Sequence, residues 1–150
     1  MRYIDKLIEN CQKAKDANSQ REFVMNDISD LSGIDKAIYV IEQLDGDPEK
    51  TFIDFSRYKQ SKARACAKIN SPSMVMYVGS STTGLQKRIS QHLGDGNKNT
   101  YALHLKHWFN GKYKISIKVY NQPDAVLQII EDDLSDRLKP AFGKQGGNNK

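Results

Sequence analysis

Two tyrosines, an arginine, a histidine and a glutamate recur along this chain in an order that suits phosphodiester hydrolysis. Tyr39 closes the run Ala37-Ile38-Tyr39, and Tyr77 opens Tyr77-Val78-Gly79. Arg88 and His92 follow four residues apart, and Glu131 comes late, in a stripe of leucines and isoleucines. In-line attack on a phosphodiester calls for a base to activate water, a cation for the non-bridging oxygens and a proton donor or orienter. Phenols, guanidinium and imidazole can fill those places. A carboxylate in an apolar stripe is costly unless something positive binds it. The set points to a metal-dependent nuclease.

Each member also has a plainer reading. Strand tyrosines usually pack, and a phenol acting as base must first have its pKa lowered from about 10. Arg88, a neighbouring lysine or a metal could supply that field. Arg88 and His92 share one face of a predicted helix. Such pairs are common surface decoration, but this one follows the loop Gly79-Ser80-Ser81-Thr82-Thr83-Gly84, whose small residues let backbone approach a phosphate. On an ideal helix Leu127, Ile130, Leu134 and Leu138 span roughly 80°. Glu131 lies about 20° beyond that sector, while Asp132, Asp133 and Asp136 point away. It reads as a boundary glutamate reaching water or an arginine, or as the single carboxylate that often holds Mg²⁺ together with retained waters.

These residues need elements to position them. Apolar spacing predicts a helix over 3–16 and a second over 20–32, which together make residues 1–34 a helical N-terminal extension. The first core strand runs from Ala37 to about Gln43, and Asp45-Gly46-Asp47-Pro48 turns the chain. An insertion over about 45–73 follows, with helix expected in its alanine-rich part. It contains Arg57, Lys59, Lys62, Arg64 and Lys68 and, from Arg57 to Lys68, no acid. That run is either a solvated helix face or a DNA-contacting surface, with Tyr58 among the cations favouring contact. The second strand spans Met74 to Val78, and helices are expected over Leu85–Leu93 and Tyr101–Trp108. Clean alternation marks Tyr113 to Tyr120 as a half-buried strand. A last long helix starts at Pro123-Asp124 and stops before Pro140. The core so defined is 35–143, and 144–150 is a polar, mobile tail.

The 150 residues suit one domain, and 38% apolar with 27% charged is ordinary for a folded soluble chain. No apolar run approaches the roughly 20 residues of a spanning helix, and the first residues lack a signal-peptide core. Cys11 and Cys66 have no metal-ligand spacing, so reduced thiols in a cytoplasmic protein are expected. The net charge is +5, with six Lys/Arg against seven Asp/Glu in residues 1–36 and seventeen against eleven in the remainder. Positive charge therefore lies with the motifs, and a phosphate polymer is the natural partner.

Ala37-Ile38-Tyr39, Tyr77-Val78-Gly79, Arg88-x-x-x-His92, and Glu131 eight residues before Lys139-Pro140 together resemble the GIY-YIG nuclease family over about residues 35–143. The resemblance implies an α+β fold with a small central three-stranded antiparallel sheet flanked by helices. It implies hydrolysis of DNA around one divalent cation, Mg²⁺ or Mn²⁺. Tyr39 and Tyr77 look like the signature phenols, with Tyr39 favoured as general base and Tyr77 supporting it by a hydrogen bond. Arg88 looks like the phosphate-stabilising guanidinium, His92 like the proton carrier or water orienter, and Glu131 like the metal ligand.

The chain departs from the family's pattern in three places. Ala37 stands where the naming glycine would be, the gap between the two motifs is long, and Gly143 follows Pro140-Ala141-Phe142 where an asparagine is usual. Asn148 or Asn149 could fold back to replace it. A DNA-binding module without turnover and a protein-interaction domain are the competing readings. With no large second domain, low sequence specificity is expected, with a possible homodimer to cut both strands.

Overall fold

The computed structural model describes residues 2–144; the tail from Gln145, including Asn148 and Asn149, lies outside the described residues. Its main elements are α1 (Tyr3–Asp16), β1 (Arg21–Val24), β2 (Ala37–Gln43), α2 (Pro48–Gln60), β3 (Val75–Ser81), α3 (Leu85–Leu93), β4 (Tyr113–Val119) and α4 (Asp124–Leu138). The strands form one antiparallel sheet in the order β1-β4-β2-β3, which leaves β3 as an edge. The α+β class holds, but the sheet has four strands instead of three.

Alternation sorts the sheet's two faces. On β2, Ala37, Tyr39 and Ile41 point one way and Ile38 and Val40 the other. Helix α3 covers the Tyr39 face with Leu85, Ile89 and His92, all buried. Helix α4 covers the opposite face, where Leu134 and Leu138 meet Ile38 and Val40. Its fully buried residues are Val126, Leu127, Glu131 and Ser135. The two helices therefore flank the outer edge of β3 from opposite sides, and a side chain from each can reach it. At its start that edge is covered by Ala141 and Phe142, whose N–H groups donate to the Val75 and Met76 carbonyls.

The insertion is tied into the core. Phe55 of α2 packs against Phe142 at 4.3 Å and Trp108 at 4.9 Å between ring centroids. Segment 68–70 then pairs with the turn after α4, through Gly143 N–H to the Lys68 carbonyl (2.8 Å) and Asn70 N–H to the Ala141 carbonyl (2.8 Å). Cys11 is exposed, and Cys66 is buried with its thiol pushed up to about 11 by burial. Among the described residues no helix is long and apolar enough to cross a membrane.

Several expected elements differ. Residues 20–32 are not a helix: Arg21–Val24 pair with Val119–Ser116 of β4, and only Ile28–Leu31 make a 3-10 turn. Four residues offered a sheet edge gain ladder bonds that an isolated short helix lacks. Helix in the insertion precedes the alanines, because Asp47 caps Glu49 N–H (2.9 Å) and Pro48 opens the first turn. The alanine-rich stretch itself is irregular, held by Ala65 N–H to the Lys98 carbonyl and Ala67 N–H to the Ala102 carbonyl. Residues 101–108 make only the 3-10 turn Leu105–His107, since His104 takes a left-handed φ of 53°. Strand β3 extends to Ser81, absorbing half of the small-residue loop.

Candidate active site

Tyr39 of β2 lies directly opposite Gly79 of β3, and Tyr77 stands two residues earlier on the same face. Their rings stack 6.0 Å apart and 4° from parallel. A β-carbon at Gly79 would fall 2.5 Å from the Tyr39 hydroxyl oxygen and 2.8 Å from Tyr77 Cε1, so only glycine leaves room for both phenols. Gly143, at a left-handed φ of 104°, brings its backbone against the far edge of the Tyr77 ring.

His92 is wholly buried behind these rings. Its Nδ1 accepts the Leu103 N–H at 3.2 Å, so the neutral ring carries its proton on Nε2 and donates it to the Tyr39 hydroxyl oxygen at 2.9 Å. Burial, then the nearby Arg88 charge, holds the imidazole's pKa well below its ordinary value. The geometry suits neither expected role: Nε2 has no lone pair with which to take a proton, and the ring does not line the cavity where water would sit, so what it orients is the Tyr39 phenol. Burial, and then Tyr77, push the Tyr39 phenol up, with Arg88 pulling partly back.

Arg88 is fixed by three bonds. Nη1 donates to Gln91 Oε1 (2.9 Å), and Nη2 donates to the Tyr77 hydroxyl (3.1 Å) and the Tyr101 carbonyl (3.1 Å). Burial works against its charge, but the electron-rich oxygens of Tyr39 and Tyr77 more than offset this, and its pKa is raised.

Glu131 does face the phenols. It is 2% exposed, and its Oε1 accepts from Ser80 Oγ at 2.6 Å. Its Oε2 accepts from Gln128 Nε2 at 3.3 Å and lies 3.9 Å from Lys144 Nζ. Tyr39, Tyr77, Arg88 and Glu131 line one cavity of about 240 Å³ at the edge of β3, together with Lys144. Among the described residues no cluster of three acidic, histidine or cysteine ligands exists, and Glu131 is the one carboxylate that lines this cavity. That donor set fits Mg²⁺ or Mn²⁺: a hard oxygen on a cavity with space for several waters at about 30 Å³ each. The Lys144 ammonium contests the same oxygen.

The insertion's cations divide. Lys59 Nζ donates to the Ala67 carbonyl (3.1 Å) and Arg64 Nη1 to the Gly96 carbonyl (3.1 Å), so both brace the insertion itself. Arg57 and Lys62 are exposed, Lys62 at a left-handed φ of 58°. Lys68 lines a cavity that adjoins the site through Lys144.

Four site residues lay outside the sequence reading. Gln128, one turn before Glu131, was legible from spacing. Ser80 sat in the recognised small-residue loop. Lys144 and Asn70 carried no local signal. Asn70 Nδ2 donates to the carbonyls of Pro140 (3.2 Å) and Gly143 (3.0 Å), clamping the turn that bears Lys144.

No family model, curated protein or solved structure matches this chain.

Proposed function

We propose that this chain is a metal-dependent DNA endonuclease. The observation that carries the reading is the convergence of Tyr39, Tyr77, Arg88 and Glu131 on one 240 Å³ cavity from β2, β3, α3 and α4. Two phenols, a fixed guanidinium and a buried carboxylate around an open space match the needs of a pentavalent phosphorus. The ordering of residues that resembles GIY-YIG nucleases supports the same conclusion.

Arg88 donates to the non-bridging oxygens of the scissile phosphate, its geometry already set by Gln91, Tyr77 and the Tyr101 carbonyl. Tyr39, once ionised, takes a proton from the attacking water as its oxygen bonds to phosphorus. His92 Nε2–H and Arg88 stabilise the phenolate that this requires. The bond to the leaving ester oxygen breaks, and that oxygen is protonated from solvent. Glu131, with Ser80 and Gln128 orienting it, would hold the divalent cation, which supplies Lewis-acid polarisation of phosphate and leaving oxygen. One such site nicks one strand at a time, and a homodimer would bring two of them to a duplex.

Incubating supercoiled plasmid with Mg²⁺ or Mn²⁺ tests this, with Glu131→Ala alongside. Nicking that stops with the substitution or with EDTA is the expected result, and nicking that survives both removes the metal site. A binding module without turnover is the second reading, favoured by one observation: Lys144 Nζ stands 3.9 Å from the oxygen that the cation would need. Tight DNA binding without any nicking would select it.

A further inference from the structure

The catalytic cavity has a neighbour on each side. On one side a cleft of about 450 Å³ shares Lys144 with it and is also lined by Lys68, Asn70, Ser71 and Lys139. On the other a hollow of about 340 Å³ shares Ser80, Thr82 and Arg88 and adds Ser81, Thr83 and Lys87. The outer two have no lining residue in common, so the three form a row with the proposed active site in the middle.

The linings are chemically uniform. Neither outer cavity has a carboxylate in its wall; one offers three ammonium groups and the other an ammonium, a guanidinium and four hydroxyls. Lys139 pairs with Asp136 at 3.2 Å outside the cleft, on the exposed surface, where such a pair is weak and yields to a phosphate. Asn70 and the 68–70 ladder hold Lys68 beside the turn that carries Lys139 and Lys144. Hydroxyls and ammonium groups in open hollows are the usual partners of backbone phosphates, which they position without reading sequence.

We infer that one nucleic-acid strand crosses all three cavities. The phosphate on one side of the cut sits on Lys68, Lys139 and Lys144, and the phosphate on the other side sits on Lys87 and the Ser81–Thr83 hydroxyls. This rests on the nuclease reading for which phosphate is cut, but the binding row stands without it. Lys68 thereby separates from Arg57, Lys59, Lys62 and Arg64, which lie off the row.

The test is anisotropy of a labelled DNA duplex with the full chain in EDTA, titrated at salt from about 50 to about 200 mM. The variants are Lys68→Gln with Lys139→Gln, Lys87→Gln, and Lys50→Gln on exposed α2 as control. All four lysines are on the surface, so folding is retained, and circular dichroism checks it. The expected result is weaker binding by about three- to tenfold for each outer-cavity variant, with the salt slope falling by about 0.9 per phosphate lost. Lys50→Gln should change neither. Unchanged affinity and slope in both outer variants, or an equal loss in Lys50→Gln, overturns the row. Lysine-dependent binding by a chain that never nicks DNA upholds the row and sinks the nuclease reading instead.

Discussion

Gly79 and Tyr39 are cross-strand partners, and the tyrosine hydroxyl occupies the space a β-carbon on residue 79 would need, 2.5 Å away. Glycine here is a steric requirement imposed by the phenol opposite. The same absence lets Tyr77 stack on Tyr39 and leaves the edge of β3 open where Glu131 comes round from the other face. A motif position that looks like a turn signal in the sequence is in fact the floor of the site.

Gly79→Ala therefore forces one of two stacked, buried rings to move. Overpacking of this kind costs typically about 1–3 kcal/mol. A lower urea midpoint is expected, together with loss of nicking, while DNA affinity is retained because the outer cavities are untouched. Wild-type midpoint and wild-type nicking in this variant would show that the ring stack tolerates displacement.

Lys144 Nζ lies 3.9 Å from Glu131 Oε2, where it would compete with the proposed divalent cation. Replacing it in Lys144→Gln removes a like charge from beside the ion, so Mn²⁺ followed by electron paramagnetic resonance should bind about three- to tenfold tighter. DNA should bind more weakly in the same variant, since the ammonium also faces the strand. Metal affinity that is unchanged or weaker would mean that the ion does not use this carboxylate oxygen.

How much was legible depended on the range of the interaction. Strand β2 and helices α3 and α4 follow from local periodicity, and Glu131 was conspicuous as the one acid leaning toward an apolar face. In the fold that face is rotated further, so that Glu131 lies among Val126, Leu127 and Ser135 instead of at their margin. Strand β1 is hidden in the sequence because Phe23, Val24, Ile28 and Leu31 fit helical spacing, whereas pairing with β4, nearly a hundred positions away, decides its state. Asp47-Pro48 carries both a turn signal and an N-cap followed by proline, and the structure uses it as the start of α2. Asn70 and Lys144 were invisible because both act across the insertion's junction with the chain's last turn, which no local pattern encodes.

Asn70 orders the turn over the site by donating to the carbonyls of Pro140 and Gly143. It is a positioning residue, acting through Gly143 and Lys144. Asn70→Ala loses two side-chain hydrogen bonds, worth roughly 1 kcal/mol each. Turnover should fall with KM little changed, and Asn70→Asp, which cannot donate to the two carbonyls, should not rescue it. A variant with full turnover would reduce Asn70 to a surface contact.

Two buried histidines set an acid limit on stability. Burial, the leading cause in both, lowers the pKa of His92 and His104, whereas in the unfolded chain each titrates near its ordinary value of 6.5. Below that value the unfolded state binds more protons than the folded one, so stability is full above about pH 6.5 and falls as pH drops. The slope approaches about 1.4 kcal/mol per pH unit for each histidine. Urea midpoints measured from about pH 8 to about pH 5 should decline accordingly, and His92→Gln should flatten the curve. A midpoint independent of pH over this range would mean that neither ring resists protonation.

The proposed role of Tyr39 as general base makes the sharpest demand on pH. Burial and Tyr77 raise the Tyr39 pKa, and its hydroxyl already accepts the His92 Nε2–H. No relay to histidine is open, because Nε2 is protonated and Nδ1 is engaged by Leu103. If Tyr39 activates water, it must first lose its own proton through the cavity, and only the ionised fraction of the enzyme is competent. Well below the phenol's pKa that fraction grows about tenfold per pH unit. Single-turnover nicking at saturating metal should therefore climb with pH near unit slope through the neutral and mildly alkaline range. Tyr39→Phe should abolish it, while Tyr77→Phe should leave the slope and lower the rate, since Tyr77 helps place Arg88 and does not itself take the proton. A flat profile with an inactive Tyr39→Phe variant would assign Tyr39 to holding the water as a neutral donor, and the proton would have to leave by another group.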